Sequence, residues 1–179
     1  EGYSVEVTGI VMVERALNDL VVRSQLVSVA CSLLLVFVIL SLTYRSPMAG
    51  LLGLITLSIT VGVNFAIMGF TGIKLNIGTA LVASIAVGTG IDYIIHFLAA
   101  YHRESALGVP DPMEMAFRTS GKAIILNAAS VGLGFLVLAA SEFALLSNLG
   151  ILISAAMGVS AVSSLTLLPF LIKLLKPKF

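Results

Sequence analysis

Residues 88–96 read Gly88-Thr89-Gly90-Ile91-Asp92-Tyr93-Ile94-Ile95-His96. They lie inside an apolar stretch from about residue 78 to residue 100, which is long enough to cross a bilayer. An ionised carboxylate near the middle of a membrane costs at least about 2.5 to 3.5 kcal/mol, so such residues usually mark a proton, ion or substrate pathway. Asp92 is therefore the first candidate functional residue.

The composition identifies the class of protein. Of 179 residues, 59% are hydrophobic and 11% are charged, too few polar side chains to cover a water-soluble globule. The sequence is that of an integral membrane protein. The net charge is +1 and the basic residues are scattered, so the sequence does not indicate a basic surface that would bind nucleic acid. Cys31 is the only cysteine, which excludes a disulfide or thiolate metal site within the chain, and we expect it to face lipid or fill packing space.

Apolar stretches of about 20 residues or more predict five membrane-spanning helices. They cover residues 26–44, 48–70, 78–101, 123–140 and 149–174. The short link before Pro47 forces the first two helices into an antiparallel hairpin, because Pro47 suits the start of a helix. We predict an all-α transmembrane bundle over residues 25–179.

The segment before the first apolar stretch, residues 1–24, is ordinary polar sequence and does not resemble a signal peptide. Residues 3–7 alternate as a half-buried strand does, and a helical period follows from residue 10 to residue 21. Because a lone strand needs pairing partners, we interpret residues 1–24 as the last strand and connecting helix of a larger extracytoplasmic domain.

Basic residues predict the orientation. One set of links and the C-terminus carries Arg45, Arg103, Arg118, Lys122, Lys173, Lys176 and Lys178, and the opposite side carries Arg15, Arg23 and Lys74. By the positive-inside rule, the N-terminal segment is extracytoplasmic and the C-terminus cytoplasmic in a plasma or inner membrane.

The longest link contains its own helical signals. Asp111 can cap a helix, Pro112 suits the first helical position, Glu114 completes a capping box and Gly121 supplies a stop. We predict a short amphipathic helix over residues 111–120 that lies along the cytoplasmic headgroups, with a gating or coupling role as the alternative.

Helical spacing gives Asp92 a set of neighbours on one face. Ser84, Gly88, Thr89 and His96 share that face, and the small-xxx-small spacing of Ser84 and Gly88 predicts close helix packing that would bury the carboxylate against protein. On the fourth helix, one face carries Asn127, Ser130 and Gly134. We expect this face to lie beside Asp92.

No lysine or arginine lies at the hydrocarbon depth of any predicted helix. Because a carboxylate out of water without a counter-charge favours its neutral form, we expect Asp92 to gain and lose a proton as the protein works. The alternative is an acid that only makes structural hydrogen bonds. His96 is either a proton shuttle or an amphipathic side chain near the membrane interface. Tyr93 is either a relay residue or an aromatic side chain that only packs. Asn127 and Ser130 either support the relay or only pack between helices.

The chain has no pattern typical of an enzyme or a metal site. No nucleophile and base pair is evident, and its two histidines lie at different depths without a nearby cysteine. We expect no cofactor and no metal.

The residues around Asp92 carry a resemblance to a known family. Gly88-Thr89-Gly90-Ile91-Asp92-Tyr93, followed by Ile94-Ile95-His96-Phe97 and His102-Arg103-Glu104, resembles the fourth-helix signature of the resistance-nodulation-division superfamily, in the branch related to the mycobacterial large membrane proteins. Similar likeness extends from Gln25 to Ser46, through residues 134–138 with Ser141-Glu142-Phe143, and at Leu168-Pro169-Phe170.

The resemblance implies half of a secondary transporter that uses protons as its coupling ion. The chain would be the last five helices of one repeat, with Asp92 and Tyr93 as proton relay and Thr89, His96, Asn127 and Ser130 as relay support. The relay partner would come from the other repeat or another subunit, including another copy of the chain. Where relatives often have threonine on the following helix, this chain has Asn127 and Ser130.

Three functions fit that resemblance. The first is export of lipids or other hydrophobic or amphiphilic molecules, driven by the proton motive force. The five-helix arrangement also resembles a sterol-sensing domain, which would bind lipid and regulate partners. An auxiliary motor of protein secretion, related through the same superfamily, is the third.

Overall fold

The computed structural model describes residues 10–73 and 77–175, and within these ranges the fold is all-α, as predicted. The helices are α1 (Ile10–Thr43), α2 (Pro47–Thr71), α3 (Ile77–Ala106), α4 (Pro112–Ala116), α5 (Lys122–Leu136) and α6 (Ala144–Leu175). A π-helical turn, Phe117–Gly121, joins α4 to α5, and a 3-10 turn, Val137–Ala140, follows α5.

Five segments of the described chain are long and apolar enough to cross a membrane. They are Asp19–Thr43, Pro47–Thr71, Thr79–Ala106, Pro112–Ala140 and Ala144–Leu175. The prediction of five spanning helices is therefore confirmed, although most of them extend beyond the predicted bounds. The protein is a multi-pass membrane protein.

α1 is longer than its apolar part. It begins at Ile10, so the connecting helix and the first spanning helix form one uninterrupted helix of 34 residues. At a rise of 1.5 Å per residue, its length is about 51 Å, compared with a hydrocarbon core of about 30 Å. The predicted strand at residues 3–7 lies outside the described residues.

The turn between α1 and α2 is tied to the second half of α3. The Tyr44 hydroxyl donates to the Ile95 carbonyl at 3.2 Å, and its ring centroid lies 6.0 Å from that of His102. Pro47 begins α2, as predicted. This end of the bundle, which we call the basic end, contains the turn after α1, the end of α3 and the start of α4, with Arg45, Arg103, Arg118 and Lys122.

The predicted helix over residues 111–120 is only partly correct. Asp111 caps α4 by accepting from the Glu114 N–H at 3.1 Å, but the Glu114 carboxylate pairs with Arg118 at 2.8 Å instead of completing a capping box. Gly121 does not stop the helix, because it keeps helical angles of φ −60° and ψ −44°. It is buried, and a Cβ built on it would lie at an ordinary contact distance of 3.6 Å from the Leu165 and Phe117 side chains. α4, the π turn and α5 thus run on as one spanning segment.

α6 lies at the centre of the bundle and packs against α2, α3 and α5. Large side chains from these helices are fully buried, among them Leu57, Tyr93, Phe97, Leu152, Met157 and Leu168. Glycines allow the closest approaches: a Cβ on Gly90 would lie 3.3 Å from the Ser160 hydroxyl, and one on Gly150 would lie 2.6 Å from the Phe135 carbonyl oxygen.

A column of polar side chains on α2 is buried inside the bundle. Thr56 and Thr60 donate to backbone carbonyls one turn earlier, at 2.8 and 3.1 Å. Asn64, the next residue of the column, is 3% exposed, and neither its amide nitrogen nor its amide oxygen has a hydrogen-bond partner among the described residues. A buried amide without a partner opposes folding by about 1 to 3 kcal/mol.

Gly150→Ala is expected to destabilise the purified protein by about 1 to 3 kcal/mol, because its methyl group would collide with backbone at the end of α5. Gly62→Ala is the matched control, since no atom lies within 4 Å of its built Cβ. Thermal unfolding in detergent measures both. Equal melting temperatures for the two variants would contradict the close α5 to α6 contact.

Asn64→Leu is expected to raise the free energy of unfolding by about 1 kcal/mol or more, because it removes the cost of an unpaired buried amide. Thr60→Val removes a hydroxyl that already has an acceptor and should give a smaller gain. Denaturant titration compares the two. A loss of stability in Asn64→Leu would mean that the amide is paired in the full-length protein.

Candidate functional site

Asp92 lies at the middle of α3 and points away from the bundle interior. It is 15 residues after Ile77 and 14 before Ala106. Each end is therefore about 20 Å away along the helix axis. The side chain is exposed on the outer face of the described bundle. The predicted depth of Asp92 at mid-span is consistent with this geometry.

Tyr93 faces the opposite way from its neighbour in sequence. Its side chain is 2% exposed, and its hydroxyl lies 3.6 Å from the Met157 sulfur on α6. A thioether is a weak acceptor, so this contact holds the hydroxyl only loosely. One step along a helix turns the side chain by about 100°, which explains how Asp92 is outside while Tyr93 is inside.

A cleft of about 290 Å³ separates α3 from the segment formed by the π turn and α5. We call it the α3–α5 cleft, and its lining consists of Tyr93, His96, Thr119, Ser120, Ala123, Ile124 and Asn127. It brings together three of the residues predicted from the sequence, namely Tyr93, His96 and Asn127. The Ser120 hydroxyl donates to the His96 carbonyl at 3.1 Å across the cleft.

Thr119 and Ser120 were not among the candidate residues. The sequence pattern assigns them to an amphipathic helix along the headgroups. That assignment does not predict that they lie on the same continuous spanning segment as α5. The available signal was their spacing: Thr119, Ala123 and Asn127 lie four residues apart, so they share a helix face once the helix continues through Gly121.

Two other predicted support residues lie elsewhere. The Thr89 hydroxyl donates to the Ile85 carbonyl of its own helix at 2.9 Å. Ser130 is exposed on α5 and does not line the α3–α5 cleft. A role for either residue in a relay stays a prediction.

The predicted close packing at small residues is not made within the described chain. Ser84, Gly88 and Gly134 are exposed, and no atom of the described bundle lies within 4 Å of a Cβ built on Gly88 or Gly134. Ser84 and Gly88 instead line a groove of about 480 Å³ between α1 and α3, together with Cys31. Among the described residues no helix covers Asp92, which is exposed, so burial of its carboxylate by another helix stays a prediction.

The charge around Asp92 is uncompensated in the part of the chain that the structure describes. Both ion pairs found there lie at the basic end, Arg103 with Glu104 at 2.7 Å and Arg118 with Glu114 at 2.8 Å. No cation or hydrogen-bond donor of residues 10–73 or 77–175 contacts the Asp92 carboxylate. The same residues contain no group of three histidine, cysteine, aspartate or glutamate side chains that could hold a metal ion.

Known proteins resemble this chain over most of its length. It is 31% identical over 173 residues to a putative membrane protein of Methanocaldococcus jannaschii, covering 96% of this chain and 45% of the relative. It is 27% identical to the apo-petrobactin exporter of Bacillus anthracis, covering 94% of this chain and 24% of the relative. It is 29% identical to the sulfolipid-1 exporter MmpL8 of Mycobacterium tuberculosis, covering 79% of this chain and 14% of the relative.

The chain spans less than half the length of these relatives. No solved structure matches it significantly. The model of the MMPL family matches residues 1–178, which is nearly the whole chain and includes the helix that carries Asp92. The chain belongs to the MMPL family.

Proposed function

We propose that this chain is part of the transmembrane region of a proton-driven exporter of lipids or other amphiphilic molecules, with Asp92 and Tyr93 as its proton relay. The observation that carries the proposal is the position of Asp92, an exposed carboxylate at the middle of a spanning helix. A charge there is too costly to leave against lipid tails.

The exposed face of α3 therefore needs a cover of protein or water in the assembled transporter. The relatives are at least twice as long as this chain, so the full protein has further helices that could provide it. A polar or charged group on such a helix would be the partner of the Asp92 carboxylate. The partner can come from a second repeat or from another subunit.

The energy released by a proton crossing the membrane is similar to the cost of the Asp92 charge, so protonation of Asp92 can act as a conformational switch. One proton that crosses a potential of 100 mV releases about 2.3 kcal/mol, and a carboxylate at mid-membrane costs at least about 2.5 to 3.5 kcal/mol. Protonation of Asp92 would remove much of that cost. It can therefore shift the balance between two packings of α3 against its cover, which is how a proton gradient would drive transport.

The names of two relatives support the cargo, and the positions of the basic residues support the orientation. Two relatives are named as exporters, one of sulfolipid-1 and one of apo-petrobactin. An amphiphilic cargo fits the first name, and we extend it to this chain. The basic end carries Arg45, Arg103, Arg118 and Lys122, which supports a cytoplasmic C-terminus and an extracytoplasmic N-terminus.

Asp92→Asn is expected to reduce cargo export by the full-length protein by about 100-fold or more, because an amide cannot exchange a proton. Export from membrane vesicles with an imposed proton gradient measures it, and the melting temperature checks the fold. Glu142→Gln is the control, since Glu142 is an exposed carboxylate outside the spanning helices. Normal export by Asp92→Asn would refute the relay.

The same assay separates the other two candidate functions. A lipid-sensing domain would respond to lipid without any effect of collapsing the proton gradient. A protein-secretion motor would lose translocation of unfolded chains, not of lipid, in Asp92→Asn.

Tyr93→Phe is expected to leave the melting temperature nearly unchanged, because the hydroxyl makes only a weak contact with sulfur. If the hydroxyl belongs to the relay, export should still fall clearly. Purified protein gives the stability and vesicles give the export rate. Unchanged export in a stable variant would make Tyr93 a packing aromatic only.

A further inference from the structure

We propose that the outer face of α5 binds an anionic phospholipid of the leaflet at the basic end, with its phosphate held by Lys122 and Arg118. The outer face of α5 consists of Lys122, Leu126, Ala129 and Leu133, which follow one another at intervals of three or four residues and are all exposed. The inference goes beyond the proposed function and does not depend on it, because the site contains none of the relay residues.

Packing on α6 determines which way this face points. The buried residues of α5 are Ile124, Ala128 and Gly132, each four residues from the next. A Cβ built on Gly132 would lie 3.7 Å from the Met157 Cβ on α6. Leu126 follows Ile124 by two residues, which places it about 200° around the helix. The outer face of α5 is therefore directed away from α6 and out of the described bundle.

Lys122 lies deeper in the membrane than the end of the neighbouring helix. The Ser120 hydroxyl donates to the His96 carbonyl at 3.1 Å, which places the start of α5 level with His96 on α3. From there α3 continues for ten more residues to Ala106, a distance of about 15 Å along its axis. An ammonium group attached at this depth reaches polar surroundings by extending its aliphatic chain toward the lipid headgroups. The phosphate layer is therefore the natural environment of the Lys122 ammonium.

The charges at this site leave one positive charge uncompensated in the part of the chain that the structure describes. Arg118 forms an ion pair with Glu114 at 2.8 Å, whereas neither ion pair at the basic end includes Lys122. A phosphodiester carries one negative charge, so a single phosphate neutralises the site. A zwitterionic lipid would add a cation beside Lys122 and Arg118, which favours a purely anionic headgroup such as phosphatidylglycerol.

The rest of the outer face of α5 suits an acyl chain. Leu126 and Leu133 are exposed, and the small Ala129 between them leaves room for a hydrocarbon chain against the helix. From Lys122 to Leu133 the helix rises about 16 Å, which is close to the thickness of one leaflet, since the whole hydrocarbon core is about 30 Å thick. Cationic side chains followed by apolar ones match a phospholipid from headgroup to tail.

Fluorescence quenching in the full-length protein tests the site. In a background without other tryptophans, Leu126→Trp places an indole on the outer face of α5, and Leu34→Trp places one on an exposed part of α1 as the matched control. The protein is reconstituted in phosphatidylcholine, and the quencher is phosphatidylglycerol or phosphatidylcholine with brominated chains. We expect phosphatidylglycerol to be preferred about fivefold at Leu126→Trp and not at Leu34→Trp. Equal preference at both positions would overturn the proposal, and so would an indole at position 126 that another helix shields from every lipid.

Charge variants in the Leu126→Trp background identify the phosphate ligands. Lys122→Gln is expected to lower the preference about fivefold, which corresponds to about 1 kcal/mol for one cation at a membrane surface, and Lys122→Arg should keep it. Glu114→Gln should raise the preference, because it frees Arg118 from its ion pair. Arg23→Gln removes an exposed cation near the other end of α1 and should change nothing. An unchanged preference in Lys122→Gln would contradict the site.

Glycerol 3-phosphate distinguishes a lipid from a soluble phosphate. At millimolar concentration it should not reduce quenching of Leu126→Trp by brominated phosphatidylglycerol, because the lipid is confined to the bilayer at a much higher local concentration. Loss of quenching would show that a soluble phosphate is the ligand, which would overturn the assignment to a lipid.

Discussion

The central constraint on this molecule is that a carboxylate at the middle of a bilayer needs protein or water beside it. Asp92 is exposed on α3, and the described helices give it no partner. Most other features of the bundle are compatible with ordinary packing of apolar helices, but the exposed Asp92 carboxylate requires protein or water to cover this face of α3. The short coverage of the longer MMPL relatives is consistent with that requirement.

Packing around α6 determines how the site is presented. Glycines at positions 90 and 150 bring α3 and the end of α5 close to α6, and Tyr93 is held inside against Met157. Because α3 and α5 both pack on α6, a cleft is left between them on the outer side. The two proposed relay residues, Asp92 and Tyr93, therefore lie on an open outer face and in a tightly packed interior, respectively.

The number and type of helices could be predicted from the sequence, because the spanning stretches are long, apolar and separated by short links. The direction of Asp92 could not, since helical spacing shows which residues share a face but not what covers that face. Glycine ends many helices, which is why Gly121 was predicted to be a stop, whereas here it keeps right-handed helical angles and the helix continues through it. The cleft was missed because it depends on the continuation through the π turn.

α1 has a mechanical consequence. A helix without a break over 34 residues behaves as a stiff rod, and the part before Asp19 lies outside the apolar span. A tilt of about 10° at the basic end would displace the far tip of a rod of about 51 Å by about 9 Å. Small rearrangements among the membrane helices would therefore be amplified into large displacements of Ile10, where α1 begins.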